Sequence, residues 1–199
     1  MGYAEKIARV ISKARALEFV EYRHPHLGVS FYNVDLSVLF NFPDLMREVT
    51  ELLEKFIKER VDLDKVDFIG GILTKGVVYA SIIAYQLNKP IVIFDKKGRK
   101  IYGGLQTDDR VLLVDDMIMT GTTILKCVRI IKDVIGGCVS DVIVILDRMC
   151  GGLKKVASKG IKVHAMANIK QVAEILLNIE DIGHEQFEII MSEIASGEE

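Results

Sequence analysis

Five short runs rich in Val and Ile recur along the chain and are separated by segments with helical periodicity. Because these runs lack polar alternation, they predict strands that are buried on both faces, as in a parallel sheet. The segments between them predict crossover helices, which gives a doubly wound α/β fold with a mainly parallel five-stranded sheet and helices on both faces. The apolar runs are Val66–Leu73, Pro90–Phe94, Val111–Val114, Val142–Leu146 and Ile161–Met166, and the helical segments are Val77–Leu87, Thr123–Ile135 and Leu153–Ser158.

Three more helices are predicted outside this alternation. Pro43 can start an amphipathic helix over Asp44–Glu59, and Ile169–Leu177 and Glu185–Ala195 have the pattern of C-terminal helices. The chain lacks repeats and an obvious linker, so we expect residues 1–199 to form a single domain. The polar segment Asp95–Arg110 is longer than a usual connection, which indicates a functional loop.

Composition excludes several classes of partner. The chain has 26 basic and 28 acidic residues and a formal net charge of -2, so we expect no general attraction to nucleic acid or to a membrane surface. The three cysteines are widely spaced without a CxxC pair, which favours reduced thiols over disulfides or a zinc site. No targeting signal or membrane-length apolar run is recognisable, and a cytoplasmic location is expected.

The stretch VLLVDDMIMTGTT, Val111–Thr123, places two adjacent carboxylates and a Thr-Gly turn after an apolar run. In an open α/β sheet ligands bind at the carboxyl ends of the strands, where we expect Asp115 and Asp116. The following turn offers hydroxyls and helix-start amides that could hold a phosphate. The pairing suits a sugar phosphate, although a polar strand end before a Thr-capped helix would have the same residues. The chain has neither GxGxxG after a strand nor GxxxxGK[ST], which disfavours a dinucleotide fold and a P-loop.

A second turn, in GGILTKGVVYA at Gly70–Ala80, ends the first predicted strand and opens a helix. Lys75 and the amides near Gly76 could form another anion site at the same sheet edge. A solvated lysine at a helix start is the alternative, but the helix dipole disfavours a cation there.

These two motifs resemble those of the type I phosphoribosyltransferases, and the chain is most similar to the orotate phosphoribosyltransferases. The resemblance implies that Asp115 and Asp116 engage the ribose hydroxyls of phosphoribosylpyrophosphate (PRPP). It assigns the ribose 5′-phosphate to the loop Met119–Thr123, hence to Thr120, Gly121, Thr122 and Thr123. It also assigns the pyrophosphate to Thr74, Lys75 and Gly76, with a cis peptide between Leu73 and Thr74.

The segment VILDRMCGGLKKVASKGIKVHAM is similar to the orotate enzymes at their base site. The resemblance implies that Arg148 holds the orotate carboxylate, although Asp147 and Arg148 could instead form a local ion pair. It further implies a mobile loop over Asp95–Leu105 that brings Lys96, Lys97 or Arg99 to the pyrophosphate, Mg²⁺ carried with PRPP near the acidic pair, and a homodimer with shared active sites. The implied organisation is a hood over residues 16–40, a core over 41–166 and C-terminal helices over 168–196.

The base side departs from the orotate pattern more than the PRPP side does. Pro25-His26-Leu27 replaces the usual Lys-Ser-Gly run, Asn33-Val34 replaces an aromatic pair, and Ile93-Phe94 replaces an Arg-Lys pair. The main expectation is transfer of the phosphoribosyl group from PRPP to orotate, giving orotidine 5′-monophosphate and pyrophosphate. Two alternatives stay open: a PRPP- or nucleotide-sensing regulator without turnover, and a phosphoribosyltransferase for another base.

Overall fold

The computed structural model describes residues 2–24, 28–95 and 100–197. The chain forms seven α-helices within these ranges: α1 Tyr3–Ala14, α2 Pro43–Arg60, α3 Gly76–Gln86, α4 Thr122–Arg129, α5 Gly152–Ala157, α6 Ile169–Asn178 and α7 His184–Gly197. Its strands are β1 Leu17–Glu18, β2 Tyr22–His24, β3 Gly28–Ser30, β4 Asn33–Val34, β5 Phe68–Ile72, β6 Ile91–Phe94, β7 Ile101–Tyr102, β8 Arg110–Ile118, β9 Cys138–Asp147 and β10 Lys162–Asn168. Short 3-10 helices span Leu36–Asn41 and Leu63–Lys65.

The central sheet has six strands in the order β10-β9-β8-β5-β6-β7. The five predicted parallel strands are all present, which confirms the doubly wound α/β class. The sixth strand, β7, was not predicted; it pairs antiparallel with β6 through Ile93–Tyr102 and Phe94–Ile101. Residues 101 and 102, which the sequence placed in one long loop, therefore extend the sheet edge instead.

Side-chain alternation along the sheet creates two separate hydrophobic cores. Leu112 and Val114 of β8 face the core built with α1, α2, α3 and α6, while Val111 and Leu113 face the core built with α4 and α5. Successive strand residues point to opposite faces, so a parallel strand covered by helices on both sides must be apolar throughout. This explains the unbroken Val and Ile runs in the sequence.

Strand β8 is longer than predicted. The sequence interpretation ended it at Val114, whereas β8 continues to Ile118, with Asp115 opposite Val144 and Ile118 opposite Asp147 of β9. The acidic pair therefore lies inside the strand. The ladder persists because β9 also continues, to Asp147, and supplies backbone hydrogen-bonding partners beyond the acidic residues.

The predicted helix Thr123–Ile135 is split in the structure. Its first part is α4, and residues Ile130–Ile135 form π-helical turns that end at Gly136, where φ is 84°.

The irregular segment after β1 forms two small antiparallel pairs, β2 with β3 and β4 with β1. Among the described residues, no helix combines the length and apolar character needed to cross a membrane.

Candidate functional site

A cavity of about 880 Å³ opens at the carboxyl edge of the sheet. Its position follows from topology, because the strand order reverses between β5 and β8, and the turns after these two strands diverge there. Nine of the predicted site residues line this one cavity: Thr74, Lys75, Asp115, Asp116, Thr120, Gly121, Thr122, Thr123 and Arg148. Segments far apart in the sequence thus meet at a single site.

The acidic pair forms the floor between the two turns. Asp116 is 8% exposed, Asp115 is half-buried, and the Asp115 Oδ1 accepts a hydrogen bond of 3.0 Å from the Asp116 backbone N–H. Gly76 stands beside this pair rather than lining the cavity: a Cβ added there would lie 2.9 Å from the Asp115 Cγ and overlap its carboxylate oxygen. Glycine therefore lets α3 begin directly against the Asp115 carboxylate.

The turn before α4 has the form of an anion cradle. Gly121 is the N-cap residue of α4 with φ of 70°, a left-handed conformation that favours glycine. The Thr120 and Thr122 hydroxyl oxygens lie 3.0 Å apart. No side chain of the described residues caps α4, so its first amides are available to a bound phosphate, which the helix dipole would also favour.

Lys75 forms an ion pair with Asp35, the residue before the 3-10 helix Leu36–Asn41. Its Nζ donates to the Asp35 Oδ1 at 2.8 Å, and Ser37 N–H donates to the same oxygen at 2.9 Å. Burial alone would raise the pKa of Asp35, but the hydrogen bonds from Lys75 and Ser37 outweigh burial and lower it. The Leu73–Thr74 peptide before this lysine is cis, as the resemblance implied.

Arg148 also lines the cavity and is only 4% exposed. Its backbone N–H donates to the Ile118 carbonyl at 2.9 Å, and its guanidinium carbon lies 4.0 Å from the centre of the Tyr32 ring. Burial raises the pKa of Tyr32 to about 12, which keeps the ring neutral beside the cation. The buried Arg148 Nε has no hydrogen-bond partner among the described residues.

The alternative of a local Asp147–Arg148 ion pair is not what the structure shows. The Asp147 Oδ1 accepts a hydrogen bond of 2.9 Å from the Met149 backbone N–H, and burial raises the pKa of this carboxyl. The Arg148 Nη2 is paired instead with the Glu193 Oε2, at 3.8 Å. Asp147 therefore shapes the turn after β9, which leaves the guanidinium directed to the cavity.

Glu193 of α7 is a cavity residue that sequence reasoning missed. It lies 45 positions after Arg148 in a helix that also contains Glu185 and Glu188, so nothing in the pattern distinguishes it. Ser30 and Tyr32 were aligned with the hood of the orotate enzymes but were given no role, and both line the cavity. The predicted Lys96, Lys97 and Arg99 lie outside the described residues.

The described residues contain no group of three or more His, Cys, Asp or Glu side chains that could hold a metal ion by themselves. Asp115 and Asp116 nevertheless both line the cavity, and either carboxylate suits Mg²⁺, which keeps several waters and commonly binds through one or two carboxylates together with substrate phosphates. The donor set therefore fits a metal that is carried by a phosphorylated substrate.

Comparison with known proteins places this site in a family. The family model described as the phosphoribosyl transferase domain matches residues 36–174. The orotate phosphoribosyltransferase of Cenarchaeum symbiosum is 30% identical over 183 residues, which cover 88% of this chain and 90% of that protein. The crystal structure of orotate phosphoribosyltransferase from Aeropyrum pernix superposes with a TM-score of 0.77 at 25% identity, covering 85% of this chain and 98% of that one.

Longer proteins also contain a similar region. The uridine 5′-monophosphate synthase of Caenorhabditis elegans is 30% identical over 192 residues, and the match covers 91% of this chain but spans 37% of that protein's length. The acidic pair, the two anion turns and the buried arginine all fall within residues 36–174. The chain belongs to the phosphoribosyltransferase family, with orotate phosphoribosyltransferases among its relatives.

Proposed function

We propose that the protein transfers the phosphoribosyl group of PRPP to orotate, giving orotidine 5′-monophosphate and pyrophosphate. One observation carries the proposal: a single cavity joins the turns at Thr74–Lys75 and Thr120–Thr123, an acidic pair and a buried arginine whose Nε has no partner in the described part of the chain. These groups match, in order, the pyrophosphate, the 5′-phosphate, the ribose hydroxyls and the carboxylate of the base. The relatives named for orotate transfer support the same substrate.

The protein's part in the reaction is positioning and charge stabilisation. The turn from Thr120 to Thr123 holds the 5′-phosphate through hydroxyls and helix-start amides, and Asp115 and Asp116 accept hydrogen bonds from the ribose hydroxyls. The bond from ribose C1 to pyrophosphate breaks as the base nitrogen attacks from the opposite face, so positive charge develops on the ribose. Carboxylates near the ring stabilise that charge.

Lys75 would stabilise the leaving pyrophosphate. The lysine can exchange its partner Asp35 for the phosphate oxygens, because both side chains are partly exposed. Lys96, Lys97 and Arg99 would add positive charge from the loop and exclude water that could hydrolyse PRPP. Arg148 orients the base through two parallel N–H···O bonds to its carboxylate, a geometry that guanidinium provides.

Magnesium dependence is part of the proposal. Asp115 and Asp116 are the residues that would hold Mg²⁺, together with oxygen atoms of PRPP. When bound, the ion would neutralise charge on the pyrophosphate. Removal of the metal with a chelator should abolish turnover, and restored turnover after Mg²⁺ addition supports this part.

We also propose a homodimer in which the loop of each protomer serves the partner's site. Exposed aromatic side chains at Phe40, Phe42, Tyr85 and Tyr102 offer apolar surface for such an association. Mixing a Lys96→Ala/Lys97→Ala variant with an Asp115→Asn/Asp116→Asn variant should then restore activity in hybrid dimers. A mixture that stays as inactive as its components contradicts shared sites.

The decisive experiment measures pyrophosphate release from PRPP and Mg²⁺ with orotate, uracil and purine bases. Release with orotate alone supports the proposal, and release with another base reassigns the acceptor. Tight PRPP binding without release for any base would favour the regulator.

A double variant tests the ribose site. Asp115→Asn with Asp116→Asn should lower kcat/KM for PRPP by at least roughly 10²-fold, because two charge-assisted contacts are lost. Asp133→Asn, a surface carboxylate paired with Arg129, is the matched control and should leave the rate unchanged. Wild-type activity in the double variant would remove the pair from the mechanism.

A further inference from the structure

Glu193 reaches from α7 to the base end of the cavity and is held there by two close hydrogen bonds. Its Oε1 accepts from the Phe31 backbone N–H at 2.6 Å, and its Oε2 lies 2.7 Å from the Ser30 hydroxyl. The Oε2 is also 3.8 Å from the Arg148 Nη2. The Glu193 side chain is 23% exposed, so its carboxylate stands at the cavity wall and remains accessible.

The contact with Arg148 is an ion pair without a hydrogen bond. A distance of 3.8 Å exceeds hydrogen-bonding range, and the other contact from Nη2, to the Ser30 hydroxyl, is long at 3.5 Å. A guanidinium has five N–H donors, and a buried guanidinium is stable when these donors are bonded to acceptors. Glu193 therefore balances the charge of Arg148 while leaving its donors available to another carboxylate.

We propose that Glu193 is a specificity-determining residue: its carboxylate competes with the carboxylate of an acidic base for Arg148 and sets how strongly the site prefers acidic to neutral pyrimidines. This inference rests on one part of the proposed function, the placement of the base at Arg148. A carboxylate that approaches Arg148 meets a like charge only a few ångströms away. A pyrimidine without that group does not.

The negative charge of Glu193 determines the direction of the effect. Two carboxylates sharing one guanidinium repel each other, and the repulsion is strong in a cavity of reduced dielectric. An acidic ligand must therefore move Glu193 away from Phe31 and Ser30 or bind against its charge. Either route lowers affinity for the acidic ligand and leaves the affinity for the neutral one unaffected.

Glu193→Gln is suited to the test because it removes the charge and can keep the contacts. The Gln carbonyl oxygen can accept from Phe31 N–H, and its amide group can donate to the Ser30 hydroxyl. That hydroxyl has one hydrogen, which can then go to the Tyr32 carbonyl at 2.7 Å. Glu188→Gln, at an exposed position of the same helix, is the matched control for loss of a negative charge.

The experiment compares two ligands that differ only in the carboxylate, orotidine 5′-monophosphate and uridine 5′-monophosphate. Dissociation constants are measured by calorimetry for the wild type, Glu193→Gln and Glu188→Gln. We expect Glu193→Gln to bind orotidine 5′-monophosphate on the order of tenfold more tightly and uridine 5′-monophosphate as the wild type does. Glu188→Gln should bind both as the wild type does.

Two outcomes overturn the inference. An unchanged ratio of the two constants in Glu193→Gln shows that the charge does not discriminate, and an equal change for both ligands shows that Glu193 only holds the hood. Pyrophosphate release with orotate by the wild type is measured separately. A shifted ratio without release refutes the catalytic proposal and leaves this inference standing, whereas release with an unshifted ratio refutes the inference alone.

Discussion

The turn between β8 and α4 can be tested by adding one methyl group at Gly121. This residue has φ of 70°, and a Cβ there would lie 2.8 Å from the Val156 Cγ2 and 2.9 Å from the Gly152 carbonyl oxygen. Gly121→Ala therefore combines an unfavourable backbone conformation with a collision against α5. The first effect costs about 1–2 kcal/mol and the second about 1–3 kcal/mol.

Gly151→Ala provides a matched control for the backbone effect. Gly151 has φ of 77° and also precedes a helix, but a Cβ there meets nothing within 4 Å among the described residues. Both variants should be destabilised by the unfavourable backbone conformation, and only Gly121→Ala should be destabilised further by the steric collision. The expected difference between them is therefore about 1–3 kcal/mol.

Thermal unfolding measures this difference directly. For a chain of this size 1 kcal/mol corresponds to about 2–4 °C, so Gly121→Ala should melt roughly 2–12 °C below Gly151→Ala. Gly121→Ala should also bind PRPP more weakly, since the collision displaces the amides that we propose hold the 5′-phosphate. Equal melting temperatures for the two variants would refute the close packing of the turn against α5.

Three further predictions concern the base site and the hood. Arg148→Ala should raise the KM for orotate roughly 10²-fold and leave the KM for PRPP nearly unchanged in steady-state kinetics, because it removes charge-assisted hydrogen bonds to the base alone; an unchanged orotate KM excludes the residue from the base site. Asp35 has a lowered pKa in the folded chain, so it stabilises the fold above about pH 4, and this contribution is lost as pH falls through the folded value. Melting temperatures from pH 7 to pH 3 should thus fall less steeply in Asp35→Asn than in the wild type, and identical slopes would contradict the pairing with Lys75. Tyr79→Phe removes a buried hydrogen bond of 2.8 Å to the Leu36 carbonyl and should cost about 1 kcal/mol in a urea titration, whereas wild-type stability would show that this contact contributes nothing.

The parallel sheet and the two turns were predictable because their signals are local. A strand covered on both faces needs consecutive apolar residues, so Val111–Val114 and Val142–Leu146 could be recognised without knowledge of their neighbours. The glycine at position 121 and the lysine at position 75 likewise stand in short motifs that determine turn geometry.

Other elements depended on distant partners. Asp115 and Asp116 looked like the end of a strand, because charged residues rarely continue a buried run, yet the ladder with β9 carries β8 through to Ile118. The strand Ile101–Tyr102 forms only because the edge of β6 is available for pairing. Its two residues are too few to show the alternation that predicts a strand.

The sequence by itself determined the α/β class and indicated the two glycine-containing turns and the acidic pair, since each follows from residues close together in the chain. Only the tertiary structure decided that Arg148 stacks on Tyr32, that Lys75 pairs with Asp35, and that Glu193 lies beside Arg148 in the cavity. These contacts join residues from 40 to more than 100 positions apart. Charge and burial at such a site depend on which distant segments the fold brings together, and periodicity along the chain does not encode that.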